Sequence, residues 1–168
     1  AGLSIIGRNY FGIFPLKGKL LNIREATLKQ RNENDEINYL KKIIGLQMNT
    51  DYSIEENFNT LRYGKIICLT DQDVDGSHIK GLVMNFFHFL WPSLIQRKGF
   101  ITSLATPIVK AFKGKKEKIF YNLTEYEKWK DKKDKKDKKG WRIKYYKGLG
   151  TSTSKEAKEY FIDIEDKL

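Results

Sequence analysis

Residues 65–90 read KIICLTDQDVDGSHIKGLVMNFFHFL, an apolar run, an acidic turn and a second apolar stretch in succession. The composition of the run Lys65 to Thr70 is typical of a buried strand. From about Ser77 to Leu90, apolar residues recur at i, i+3, i+4, i+7, i+8 and i+11, which predicts an amphipathic helix. Pro92 follows and is expected to close it. A buried strand followed by a long helix is typical of an α/β fold.

The rest of the chain also alternates between strand and helix patterns. Further strands are predicted at Tyr10–Leu16, Phe100–Leu104, Ile108–Phe112, Lys118–Asn122 and Trp141–Tyr146,. Helices are predicted around Asn34–Ile44 with Gly45 at its end, and after the capping-box pairs Ser53/Glu56, Thr124/Glu127 and Thr153/Glu156,. KGKKE between two of the strands predicts a hairpin. These patterns indicate an α/β fold with a largely parallel sheet, flanking helices and a small antiparallel element, in a single domain over residues 1–168.

Composition and charge exclude several classes of protein. The chain has 168 residues, 40% of them hydrophobic, which indicates a globular protein,. The single cysteine, Cys68, excludes an internal disulfide and a cysteine-rich zinc site and indicates a reducing compartment,. The apolar runs are too short to span a membrane, so no membrane partner is expected. Because AGLSII opens the chain without a Met, we expect a segment of a longer protein.

The net charge of +11 is unevenly distributed along the chain. Residues 128–144 contain ten Lys or Arg against three Asp, so most of the excess lies there. Residues 130–140 are low in complexity and strongly charged, and we interpret them as a solvated insertion. The net charge is therefore weak evidence for binding to nucleic acid.

Asp71, Asp73 and Asp75 stand at alternate positions in the acidic turn, and three interpretations compete. The pattern D-x-D-x-D-G opens an EF-hand loop, but the twelfth residue is Leu82 rather than the required Glu,. Asp75 or Ser77 could instead cap the long helix, although this explains only one of the three carboxylates. A magnesium site for phosphate chemistry fits best, because Mg²⁺ takes one or two carboxylates at a strand end and keeps positions for phosphate oxygens.

The stretch TDQDVDGSHIKG resembles the acidic motif of the Toprim domain in eukaryotic-type type II DNA topoisomerases. Further blocks are similar to that family in the same order: GRNYFGIFPLKGKLLNIREA, LRYGKI, TPIVK and YYKGLGTSTSKEAKEYF. The resemblance implies a Toprim-like, Rossmann-like fold. It also implies that a first acidic motif, Glu-Gly-Asp-Ser, and the first strand of the sheet precede this segment, and that the nucleophilic tyrosine belongs to a later domain.

The resemblance implies an ATP-dependent enzyme that cuts both strands of one duplex, passes another through and reseals the break. It assigns Asp71 and Asp73 to catalysis and to binding Mg²⁺, for which Mn²⁺ or Ca²⁺ can substitute. Asp75 completes the metal motif, mainly in support of the other two. ATP is expected elsewhere in the full protein, because KGLGT is not a complete P-loop. This chain alone is expected to be inactive.

The same resemblance implies contact with double-stranded DNA through PLKGKLLN, at Lys19, Asn22 and Lys17. The family usually has arginine at the position of Lys17, and lysine lacks its planar bidentate fork. A homodimer and a nuclear location are implied for the intact enzyme. Glycines that permit close backbone approach are expected at Gly18, Gly148 and Gly150.

Two other classes remain open at the level of sequence. One is the Toprim domain of a primase or nuclease, and the other is a non-catalytic DNA-binding module. The two histidines add little. His78 follows the acidic turn, where a hydrogen-bonding or phosphate-proximal role is expected rather than that of a metal ligand, because Mg²⁺ rarely binds imidazole. His88 is predicted to pack in the long helix.

Overall fold

The computed structural model describes residues 7, 9–131, 140–146, 148, 150, 152, 153, 155, 156 and 158. The helices are α1 (Leu28–Glu33), α2 (Asp35–Ile44), α3 (Glu55–Phe58), α4 (Val74–Leu90), α5 (Pro92–Gln96) and α6 (Leu123–Asp131). The strands are β1 (Ile66–Cys68), β2 (Ile101–Ser103), β3 (Val109–Lys113), β4 (Lys116–Phe120) and β5 (Arg142–Tyr145). Residues 155, 156 and 158 are also helical.

The chain divides into two compact units. The helical unit comprises residues 12–69 and 75–103, and the sheet unit comprises the described residues of 1–11, 70–74 and 104–168. Each unit has its own cluster of buried apolar side chains. The single domain expected over residues 1–168 stays a prediction, to which the structure adds this division. Most of the predicted insertion at 130–140 lies outside the described residues.

In the helical unit, β1 and β2 pair in parallel, with Ile66 opposite Ile101. The core contains Phe86 and Phe87 of α4, which are fully buried, and Trp91 directly after it. The rings of Phe86 and Trp91 meet edge to face at a centroid distance of 5.6 Å. The indole N–H of Trp91 donates to the carbonyl oxygen of Gln47 at 2.7 Å, so its one polar atom is satisfied inside the core,.

In the sheet unit, β3 lies between β4 and β5, and both pairings are antiparallel. Its core is formed by Val109, Ala111, Phe120 and Tyr126. Burial raises the pKa of Tyr126 to about 12, with a further rise from the hydroxyl of Tyr145, 2.9 Å away.

The predicted parallel sheet, flanking helices and antiparallel element are confirmed. The hairpin around KGKKE and the strand near the end of the chain are found as β3–β4 and β5. Helix α2 ends at Gly45, as predicted, with φ of 85°. In the part of the chain that the structure describes, no helix has the length and apolar character needed to cross a membrane.

Several element predictions are wrong. Tyr10–Leu16 forms no strand among the described residues, and the side chains of Tyr10 and Ile13 are exposed. Strand composition alone is not enough, because without a neighbouring strand the backbone N–H and C=O groups stay unpaired. Helix α4 begins at Val74 rather than Ser77, and Pro92 starts the short helix α5 as well as following α4. Helix α1, with its capping box between Thr27 and Gln30, was not predicted.

Two predicted caps also differ. No side-chain cap bonds the start of α3, where Ile54 occupies the N-cap position and not Ser53. At α6 the cap is Asn122, whose side-chain oxygen accepts from the N–H of Glu125 at 2.8 Å, rather than Thr124. The last capping box is confirmed, since the N–H of Glu156 donates to the Thr153 hydroxyl at 3.2 Å and the N–H of Thr153 donates back to the Glu156 carboxylate at 2.8 Å.

Candidate functional site

The acidic turn begins after β1 in the chain and leads into α4. Thr70–Val74 belongs to the sheet unit. Within it, Asp71 is half-buried and Asp73 is exposed. Between them, the side-chain amide of Gln72 donates to the carbonyl oxygen of Leu104 at 3.4 Å, a long hydrogen bond that ties the turn to the start of the sheet unit's main segment,.

The carboxylate of Asp71 lies directly against the backbone of Gly148. A Cβ atom built on Gly148 would stand 2.6 Å from Oδ2 and 2.9 Å from Oδ1 of Asp71. Real Cβ atoms essentially never approach other atoms so closely, so a side chain at this position would force the Asp71 carboxylate or the local backbone to shift. The close approach expected at Gly148 is therefore present, whereas Gly18 and Gly150 have no atom within 4 Å of a built Cβ among the described residues.

Asp75 belongs to the helical unit and stands in the first turn of α4. Its carboxylate oxygen Oδ1 lies 3.1 Å from Nζ of Lys19. The two side chains are 76% and 54% exposed, so the pair contributes less than about 1 kcal/mol to stability,. Its consequence is positional, because within the helical unit it joins the first turn of α4 to the basic segment PLKGKLLN.

The side chains in the acidic turn indicate which kind of metal ion it could bind. Across the described ranges, no group of three or more His, Cys, Asp or Glu side chains is placed to bind a metal ion. Asp71 and Asp73, close together in one turn, offer two carboxylates beside solvent. This pair fits Mg²⁺, which binds through one or two carboxylates and keeps several waters, and does not fit a closed protein cage.

The basic segment presents exposed lysines and one fixed amide. Lys17 and Lys19 are exposed, and the backbone N–H of Lys17 donates to the Glu36 carboxylate at 3.1 Å. Asn22 is half-buried, and its side-chain oxygen accepts from the amide of Asn85 on α4 at 2.9 Å. The amide group of Asn22 is thereby oriented by a residue that the sequence did not single out.

A contact between α4 and Arg24, which follows the basic segment, corrects the prediction for His88. The side chain is exposed rather than packed, and Nδ1 lies 2.8 Å from Nη2 of Arg24. Because guanidinium only donates, Nδ1 is the acceptor and the ring proton lies on Nε2. The periodic apolar pattern of α4 concealed this, since His88 follows the buried pair Phe86 and Phe87.

Glu156 lies at the centre of a hydrogen-bond network in the sheet unit. Its carboxylate accepts from Lys144 Nζ at 2.8 and 2.9 Å, from the Tyr146 hydroxyl, and from the backbone and hydroxyl of Thr153. Burial alone would raise the pKa of this carboxyl group, but the hydrogen bonds outweigh it and lower the pKa to about 2. The sequence identified Glu156 only as half of a capping box.

Comparison with protein families identifies both parts of the chain. Residues 2–107 match the family described as "Toprim domain", and residues 104–168 match the "C-terminal associated domain of TOPRIM". The second match begins at residue 104, where the main segment of the sheet unit also begins. The chain therefore belongs to the Toprim family.

The similarity within that family is to type II DNA topoisomerases of eukaryotes. The chain is 58% identical to DNA topoisomerase 2 top-2 of Caenorhabditis elegans and to human DNA topoisomerase 2-beta, over 98% of its length in both cases. It spans only 11% and 10% of those relatives. A solved structure of the Plasmodium falciparum topoisomerase II DNA-binding, cleavage and re-ligation domain superposes with a TM-score of 0.89 at 51% identity, over 99% of this chain and 22% of that one.

Proposed function

We propose that this chain is the Toprim part of an ATP-dependent type II DNA topoisomerase, in which it supports cleavage and religation of both DNA strands. The observation that carries the proposal is the continuous similarity, at 58% identity over 98% of the chain, to proteins named DNA topoisomerase 2. The similar solved structure is named for DNA binding, cleavage and re-ligation. A primase or nuclease would share the acidic turn but is not expected to share PLKGKLLN and YYKGLGTSTSKEAKEYF.

In this function, Asp71 and Asp73 hold a magnesium ion, which Mn²⁺ or Ca²⁺ can replace. When bound, the ion would stabilise negative charge on the oxygens of the scissile phosphodiester. Asp73 is exposed at the turn, whereas Asp71 is half-buried and its carboxylate lies against Gly148. That Asp75 binds the metal stays a prediction. Its ion pair with Lys19 favours a role in supporting Asp71 and Asp73 over direct binding of the ion.

The DNA partner is assigned to the basic segment of the helical unit. Lys17 and Lys19 are exposed and can neutralise phosphates, and the amide of Asn22 is oriented by Asn85 for a directional hydrogen bond,. Lys19 must exchange some of its contact with Asp75 for the phosphate, which an exposed ion pair allows at little cost,. For the full protein we propose ATP binding elsewhere, a homodimer and a nuclear location, as the family implies.

The experiment that tests this function follows divalent metal and cleavage together. Calorimetric titration of the chain with Mn²⁺ and Mg²⁺ is compared among the wild type, Asp71→Asn, Asp73→Asn and the control Asp131→Asn, whose side chain is exposed at the end of α6. We expect weak binding that both turn variants lose and the control retains. The same variants in the full-length protein should lose metal-dependent double-strand cleavage. Cleavage that survives Asp71→Asn would contradict the proposed role.

A further inference from the structure

Gly148 touches the carboxylate that the proposed function places at the metal. A Cβ atom at this position would lie 2.6 Å from Oδ2, 2.8 Å from Cγ and 2.9 Å from Oδ1 of Asp71. All three nearest atoms belong to the carboxylate, so the contact concerns the orientation of that group and not the packing of a core.

Residues on both sides of Gly148 are hydrogen-bonded to one side chain, that of Glu156. Glu156 accepts from the hydroxyl of Tyr146 before Gly148 and from the N–H and hydroxyl of Thr153 after it. Tyr146 is itself buried, and its N–H donates to the carbonyl oxygen of Ile108 at 2.8 Å. The flanks of Gly148 are therefore anchored to the antiparallel sheet through a carboxylate that Lys144 of β5 also holds.

We propose that Gly148, with its flanks anchored by Glu156, is a positioning residue that sets the orientation of the Asp71 carboxylate. This inference deepens the proposed function and rests on it where the metal is concerned. Gly148 has no side chain and touches no reacting atom, so its effect passes entirely through Asp71. Glu156 acts one step further away, through the backbone that presents Gly148.

The position has a matched control in the same segment. A Cβ built on Gly150 meets nothing within 4 Å, so Gly150→Ala adds the same methyl group without touching the turn. Gly148→Ala must displace the carboxylate, which is the end of a short side chain, or shift its own backbone. We expect the carboxylate to yield, because backbone N–H groups on both sides, at Tyr146 and Thr153, are hydrogen-bonded.

The test uses two readouts on the chain. The first is the ¹³C resonance of the Asp71 carboxyl group without metal, and the second is the affinity for Mn²⁺. Gly148→Ala should shift the resonance and weaken Mn²⁺ binding on the order of 10-fold to 100-fold, the range found for residues that support metal ligands. Gly150→Ala should change neither, and Glu156→Gln should change both in the same direction as Gly148→Ala. An unchanged resonance and unchanged affinity in Gly148→Ala would overturn the proposal.

Failure of the proposed function is distinguishable from failure of this inference. If the wild type binds no Mn²⁺, the metal assignment fails, while the metal-free resonance still reports whether Gly148 orients Asp71. If Gly148→Ala unfolds, the double variant Asp71→Ala/Gly148→Ala decides, because alanine at position 71 removes every atom in the close contact. Recovery of folding in the double variant supports the inference, and its absence contradicts it.

Discussion

Gly45 and Gly81 show how one residue type has opposite effects at two positions. Gly45 ends α2 with φ of 85°, in the left-handed region that side chains rarely adopt. Gly81 lies inside α4 and is exposed, and a Cβ built there meets nothing within 4 Å. Glycine is thus required at the first position and merely weakens the helix at the second.

We therefore predict that Gly45→Ala lowers the free energy of unfolding by about 1–2 kcal/mol, because the new Cβ is forced into the left-handed region. Gly81→Ala should raise it by about 1 kcal/mol, because alanine restricts the unfolded chain and favours the helix. Urea unfolding followed by circular dichroism measures both. A loss of stability in Gly81→Ala would show that the open space beside that residue is occupied in solution.

Residues differ in how far their role could be foreseen. The left-handed glycine at the end of α2 follows from local pattern, since Gly45 stands just after a periodic apolar stretch. The contact between Gly148 and Asp71 joins residues far apart in the chain. Only the folded sheet unit therefore reveals at which glycine a side chain would collide with a neighbour. Asn85 was overlooked for the same reason, because its partner Asn22 lies 63 positions away in the chain.

At the scale of elements, helix existence was better predicted than helix caps. α6 confirms a predicted helix, but it begins at Leu123, and Asn122 rather than Thr124 caps it. Both residues are good caps in isolation. The choice between them depends on where β4 ends, at Phe120, which sets how soon the chain can turn into the helix.

The cap assignment makes a matched prediction within α6. Asn122→Ala should lower the free energy of unfolding by about 1 kcal/mol, because the N–H of Glu125 loses its acceptor,. Thr124→Ala should leave it unchanged within about 0.5 kcal/mol, because an exposed helix position tolerates alanine,. Thermal and urea unfolding of the two variants provide the comparison. Equal losses would mean that Thr124 shares the capping.

Glu156 joins two elements, β5 and the final helix, and makes the sheet unit sensitive to acid. Its folded-state pKa is about 2 against an ordinary value of 4.5. Because the folded pKa is the lower one, the ionised carboxylate stabilises the fold above about pH 4.5, and this contribution is lost as the pH falls toward 2,.

We accordingly predict that Glu156→Gln lowers stability near neutral pH and that the difference from the wild type shrinks as the pH falls below about 4.5,. The physical reason is that a protonated glutamate resembles glutamine and no longer attracts Lys144 as an anion. Urea unfolding at a series of pH values measures the difference. If the difference in free energy of unfolding between the two proteins stayed constant down to pH 2, the charge of Glu156 would not be the source of its stabilising effect.

At the scale of the whole molecule, the net charge of +11 must be distinguished from the surface that we propose to bind DNA. Much of the excess lies in residues 128–144, whereas the proposed contacts lie at Lys17, Lys19 and Asn22. If DNA were attracted only by the total charge, removing any one lysine should weaken the affinity equally. If DNA binds at a defined site, the affinity should depend on particular lysines.

Lys19→Ala should weaken binding to duplex DNA and reduce the slope of log affinity against log salt by about 1, because one phosphate contact releases about one counterion. Lys98→Ala, at an exposed lysine between α5 and β2, should leave the slope closer to that of the wild type. Fluorescence anisotropy of a labelled duplex at several salt concentrations measures both. Equal effects would favour diffuse attraction by the total charge.

The sequence by itself determined the class of fold, the long helix α4, the hairpin β3–β4 and the identity of the acidic turn. These depend on periodicity, turn residues and blocks of sequence that are local in the chain. The tertiary structure alone decided that the chain has two cores, that Asp75 pairs with Lys19, that Asn85 orients Asn22 and that Gly148 lies against Asp71. The physical reason is that such contacts join residues distant in sequence, and short-range patterns do not specify which distant partners meet when the chain packs.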